Sequence, residues 1–307
     1  MSFAEQERAL FDLLFDQTLR ANFCRDATAA LTDYQLDDAE RSDFEEIRPH
    51  ALELDASMRI NLVLAHLCRS FPISFSIVSS LKESLELLKQ LIDTKTMRTP
   101  PIERATVFGT QLREHLAEYS FESANEKNII IAILEAELGM AWTSAALKRV
   151  VIENGTLPAN QTTVPQDWSS KPIKLASYVC AAIVPQPYVT LKKALCPCVD
   201  TEHWTHLGKH PLAASLRRKT LKQEDPRLLI TRAHVSHVSQ CEPTVDHKTA
   251  ELTEGFAPLF QHVNGTASAD EILAKFKQAG EPEEMLEGVK AVFKQLVDIN
   301  MLELAIN

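Results

Sequence analysis

From Met1 to Leu138 the chain holds a single glycine, Gly109. Glycine supplies the positive-φ residues that tight turns need, so a stretch this poor in it has few ways to change direction except at helix ends. The apolar spacing agrees. Leu10, Phe11, Leu14 and Phe15 share one side of a segment from Ala4 to Leu19. Asp37 and Glu40 stand at capping-box spacing and open a helix towards Leu54. Leu81, Leu85, Leu88 and Ile92 recur at helical steps, and Thr99-Pro100-Pro101 closes one helix and starts another that reaches about Tyr119. Ile129 to Leu134 is apolar all round, as in a buried central helix. Residues 1–150 are therefore expected to form an α-helical domain.

The texture then changes. ENGTLPANQTTVPQDWSSKP is polar and without helical period, which predicts a linker or long loop over 151–172. LASYVCAAIVP reads as a buried strand, and TLKKALC and RLLITRAHVSHV as the continuation of a β-rich layer. Residues 151–227 are taken together as linker and β-rich connecting segment. From 228 to 307 the order is extended segments, a helix over Thr253–Val263, a break at Asn264-Gly265, then two more helices. Ser268 with Glu271 caps the first of these near Ala269, and Pro282 falls where a first turn tolerates it. The last helix presents Met285, Val289, Val292 and Leu296 as an apolar stripe, and Met301 to Leu304 can return as a short strand. The fold class expected is α+β, with a winged-helix-like unit at the C-terminus.

Charge narrows the partners. The formal net charge is −10, and residues 245–307 carry eleven carboxylates against five lysines and no arginine. A DNA-reading winged helix needs a basic face, so nucleic acid is not expected as a partner. The first 58 residues hold fourteen acids and five arginines, which predicts a solvated acidic surface. Lys209, Arg217, Arg218, Lys219, Lys222, Arg227 and Arg232 form the one basic concentration. No run of eighteen apolar residues occurs, the N-terminus lacks a secretion-signal layout, and six cysteines in this length make no disulfide framework. The expected setting is the cytoplasm, away from membranes.

Candidate chemistry is sparse. Cys196, Cys198, His203 and His206, with His210 behind them, are the right ligand types for zinc or copper(I), yet their spacing matches no standard zinc motif. A second set, His234, His237, Cys241 and His247, falls on extended segments where His234 and His237 point to opposite faces unless a bulge intervenes. Glu135 and Glu137, two apart on a helix, face different sides. No nucleophile elbow, phosphate loop or H-E-x-x-H occurs, so no catalytic residue is expected. A metal-binding protein or metal-dependent enzyme using Cys196 and Cys198 stands as the alternative to a binding protein, and a winged-helix regulator as a third reading.

Two stretches carry a resemblance. LFDLLFDQTLRANFCRDATAALTDYQLDDAERSDF is similar to the helical head of the proteins that accompany multinuclear iron peptide-modifying oxygenases. PLFQHVNGTASADEILAKF and VFKQLVDINMLEL resemble the PqqD-like winged helix that recognises precursor peptides in ribosomal-peptide pathways, here of the methanobactin type. The resemblance covers about two-thirds of the chain and leaves residues 150–225 outside it. It implies a non-catalytic subunit that holds the leader of a precursor peptide while a TIM-barrel iron partner converts core cysteines to oxazolone and thioamide groups. The iron then belongs to the partner, and no cofactor is expected in this chain. An extended leader can add to a sheet edge. Such an edge is expected within Leu229–Ser239 or Val245–Leu252, with Leu229, Ile230, Arg232, His234, Val235 and His237 on it. Leu252, Phe256, Leu259 and Phe260 are expected to wall the groove.

Overall fold

The computed structural model describes residues 3–305 apart from 83, 156–163, 199–200, 223–224, 239–242 and 279–281. The fold is mixed helix and sheet, α+β, with two small antiparallel sheets. The chain divides into two compact units, Met1–Lys127 with Lys192–Thr220, and Asn128–Leu191 with Leu221–Asn307.

The first unit is helical. The helix expected over Ala4–Leu19 is two, Phe3–Phe15 and Gln17–Arg25, because Asp16 leaves helical geometry and its carboxylate accepts from the Leu19 amide. The Asp37–Glu40 capping box forms as expected. Its helix stops at Glu45 instead of running to Leu54, and Pro49 opens a new helix, Pro49–Ser70. Thr99 and Pro100 do divide helix Thr94–Arg98 from helix Pro101–Glu118. Every residue of helix Pro72–Ser79 is buried. Phe71, Phe75, Phe108, Leu64, Leu88 and Leu112 fill the centre, and Trp204 of helix Thr201–Lys209 meets Phe75 edge-on at 5.8 Å.

The second unit holds the strands β1 (Pro172–Leu175), β2 (Val179–Val184), β3 (Arg227–Val238), β4 (Pro243–Thr253), β5 (Asn264–Ser268) and β6 (Leu302–Leu304). They form sheets of order β5-β1-β6 and β2-β3-β4. Helix Ala124–Asn154 contains the expected buried run and packs on one face of the second sheet: Leu147 and Val151 meet Ala233 of β3. More than half of its apolar window is buried within the protein, as in a core helix, although its length and hydropathy reach those of a membrane span. The other face of that sheet, through Leu228 and Ile230, joins a core with Phe293, Leu296, Ile272, Ile173 and Leu302.

Several local expectations change here. TLKKALC does not extend the β layer; Tyr188–Leu195 is a helix whose Leu191 and Leu195 are fully buried four residues apart. The helix expected over Thr253–Val263 shrinks to a 3₁₀ turn, Glu254–Phe256, and one α turn, Ala257–Phe260. Asn264-Gly265 does not simply close a helix but begins β5. There Gly265 has φ 85°, and a Cβ would come 3.6 Å from the Lys174 side chain. Ser268 and Glu271 form the reciprocal cap, the hydroxyl accepting from the Glu271 amide and the carboxylate from the Ser268 amide. Of the expected linker, helix reaches Asn154, a 3₁₀ turn covers Trp168–Ser170 and β1 begins at Pro172; residues 156–163 lie outside the described residues.

Candidate functional site

The pairing of β2, β3 and β4 decides which main-chain groups are free to take a peptide. The Ala233 amide donates to the Tyr178 carbonyl at 2.9 Å. In an antiparallel ladder both polar groups of a residue point to the same side and alternate along the strand. Leu229, Thr231 and Ala233 therefore bond to β2, and Leu228, Ile230, Arg232 and His234 bond to β4. Leu229, Ile230 and Arg232 lie where β3 has a strand on each side, so no edge opens at them. The register with β2 ends at Val179–Arg232, and among the described residues His234, Val235 and His237 are paired by β4 alone. Ser239, the end of that expected edge, lies outside the described residues.

On β4 the same alternation turns Val245, His247, Thr249 and Glu251 outward. Among the described residues no strand pairs with that side. The edge is long, eleven residues, and its exposed positions are Asp246, Lys248, Thr249 and Thr253. Charged side chains of this kind keep an open edge from pairing indiscriminately. Beside it, Leu259 is buried, and Leu252, Phe256 and Phe260 are half-buried against the same core, with Phe260 meeting Phe293 at 6.0 Å. They are anchored in the core and offer only their outer surfaces to a groove.

The Cys196 neighbourhood is gathered differently from the sequence expectation. Ser76, invisible as a candidate, joins Cys196 and His203. Its Oγ lies 2.8 Å from His203 Nε2 and 3.4 Å from Cys196 Sγ. The Ser76 hydroxyl donates its one proton to the Pro72 carbonyl at 2.9 Å. Its oxygen must then accept from His203 Nε2–H, which leaves Nδ1 bare and buried without a partner. With Ser76 fully buried and its proton committed, the pair is arranged for packing and not for nucleophilic attack. His206 and His210 pack against each other, ring centroids 5.2 Å apart. Among the described residues no three His, Cys, Asp or Glu side chains converge to hold a metal.

Burial pushes the His203 imidazole below its usual pKa, an effect the Pro72 carbonyl partly offsets. The unfolded chain takes up this proton first as pH falls, so the neutral folded form loses ground below about 6.5. Stability is expected to fall there by roughly 1.4 kcal/mol per pH unit from this group, until the lowered pKa is reached. Urea unfolding of wild type and His203→Gln at pH 7, 6 and 5 checks it. An equal slope in the two proteins would contradict it.

In the second histidine set, a register slip between Val235 and His237 returns His237 to the face of His234, so the bulge does intervene. His247, opposite Ala233, belongs to the other face, where its Nε2 lies 3.1 Å from the Met140 carbonyl and 3.2 Å from Ser144 Oγ. Cys241 lies outside the described residues. The basic concentration is partly spent internally. Arg217 is 5% exposed and bound to Glu126 at 3.1 Å and Ser80 Oγ at 3.0 Å, while Arg218 pairs with Glu122 and Arg227 with Asp225.

No protein-family model matches this chain, and no curated protein matches it. Among the described residues the helix–sheet layer of the second unit holds one buried acid: Glu137 is fully buried and accepts from the Tyr188 hydroxyl at 3.1 Å, while Glu135 is exposed, as their spacing predicts. Next to it, Gly139 leaves room for Cys180, whose sulfur would lie 3.2 Å from an added Cβ. Cys180 hydrogen-bonds Thr231 at 2.9 Å, and burial pushes its thiol pKa up. That keeps the sulfur a poor nucleophile. The signal for this layer was the break in an apolar run, Glu137 and Gly139 inside an otherwise hydrophobic helix.

Proposed function

We propose that the chain is a non-catalytic recognition subunit. It binds the leader of a ribosomally made precursor peptide for a TIM-barrel iron oxygenase partner, in biosynthesis of the methanobactin type. One observation supports this reading: an eleven-residue strand, β4, whose outer side no other strand takes up among the described residues. A leader laid along it gains main-chain bonds at Val245, Thr249 and Glu251, and its alternate side chains can rest on Leu252, Phe256 and Phe260. The helices Ala269–Gln278 and Glu283–Asp298 after the hairpin support a winged-helix-like reading of this part.

Holding the leader raises the local concentration of the core peptide at the partner's iron, which is how a subunit without catalytic groups increases turnover. The helical unit, with its acidic outer surface, is the part assigned to the oxygenase. Co-expression with an oxygenase of this class and its precursor peptide is expected to give a ternary complex with iron in the barrel subunit alone. A chain that purifies with its own metal and ignores the peptide would overturn the reading.

A further inference from the structure

The side chains of β4 set what a strand added to its outer side must carry. On the face shared with Leu228 and Ile230 the strand presents Asp246, Lys248, Ala250 and Leu252, at alternate positions. Ala250 and Leu252 are half-buried against the core that also holds Phe256 and Phe260. Asp246 and Lys248 are exposed, and among the described residues neither forms an ion pair. On the β3 side Lys248 stands opposite Arg232, and Asp246 opposite His234. Lys248 and Arg232 thus set like charges across neighbouring strands, which is unfavourable until an acid joins them. One edge strand therefore offers an apolar end, then a base, then an acid, in fixed order.

Residues directly opposite each other on paired strands have Cβ atoms about 4.5–5.5 Å apart on the same face, so their side chains select one another. Antiparallel pairing is the more stable arrangement per residue, and in it the leader meets Leu252 first and Asp246 last. We infer, resting on the peptide reading above, that the leader carries an alternating signature matched to this face. From its N-terminal side the order is an apolar residue opposite Leu252, a second apolar residue opposite Ala250, an acid opposite Lys248 and a base opposite Asp246. Lys248 and Asp246 are then the specificity-determining residues. The main-chain groups of Val245, Thr249 and Glu251 hold any extended chain, whereas these two side chains read charge order. The leader's acid lies beside the Lys248–Arg232 pair and relieves its repulsion.

Two synthetic peptides test this on the full chain. The first alternates threonine with leucine, valine, glutamate and arginine in that order; the second has glutamate and arginine exchanged. Wild type should bind the first about 5- to 30-fold more tightly by fluorescence anisotropy, since the exchange turns two favourable cross-strand pairs into unfavourable ones. Salt at about 1 M should shrink the preference, because exposed pairs are screened. Asp246→Lys with Lys248→Glu should invert it, with the melting temperature unchanged because both side chains are exposed. Thr249→Pro should weaken both peptides alike. Equal binding of the two peptides by wild type overturns the inference but leaves an edge that takes peptide, so the peptide reading stands. A preference unaltered by the charge exchange in the chain does the same. Binding of neither peptide also overturns it, and the ternary complex then judges the peptide reading separately.

Discussion

Replacing Arg217 by methionine is expected to destabilise the helical unit by about 3–5 kcal/mol, because it strands a charge. Arg217 and Glu126 are 6% and 11% exposed at their side chains and meet at 3.1 Å. The guanidinium also binds Ser80 through its carbonyl and hydroxyl, so one residue ties helix Ala214–Leu221 to the end of helix Pro72–Ser79. The expected loss comes from the partner left behind. Removing both charges, Arg217→Met with Glu126→Leu, should recover most of it, since a buried pair gains little over apolar residues of similar volume. Urea unfolding of the two single variants and the double completes the cycle. A double variant no more stable than Arg217→Met would show that shape and not charge matters there.

Phe293→Ala should cost about 3–5 kcal/mol in the other unit. Phe293 is fully buried in the core that joins helices Ala269–Gln278 and Glu283–Asp298 to both sheets, with Phe260 against it at 6.0 Å. The cavity would open behind the apolar residues beside β4, so peptide binding should weaken along with stability. Phe293→Leu, which keeps most of the volume, should retain both. Unfolding by denaturant gives the first quantity and peptide titration the second; an alanine variant of near wild-type stability would contradict the packing account.

What the sequence made legible was local. Ser268 and Glu271 cap the helix they appeared to cap, Leu302–Leu304 returns as a strand, and Ile129–Leu134 is the buried stretch of a long helix. Each rests on contacts within a few residues or on a period too regular to mistake. The failures have a common cause. TLKKALC is short, and its Leu191 and Leu195 fit a helix face as well as a strand. Thr253–Val263 contains Pro258, and Asn264-Gly265 after it serves a strand whose partner, β1, lies some ninety residues earlier. Separation along the chain also hid the central place of β3. Leu229, Ile230 and Arg232 looked like edge residues because Val179–Val184, which pairs with them, is separated by three helices and carries no signal of register. The Ser76–His203–Cys196 cluster joins residues more than a hundred positions apart, and a serine inside an apolar helix gives no warning of it.

On the proposed reading, β4 takes an extended leader peptide along its outer side. Thr249→Pro removes one outward amide at mid-strand and leaves the bonds to β3 in place, since those come from Lys248 and Ala250. Proline is tolerated on such an edge. Calorimetric titration of a synthetic leader peptide into wild type and Thr249→Pro, with melting temperatures recorded for both, tests the claim directly. Leaving one peptide carbonyl unsatisfied costs about 1–3 kcal/mol, so affinity should fall by about 5- to 150-fold while the melting temperature holds. Wild-type affinity in a folded Thr249→Pro protein would contradict the account.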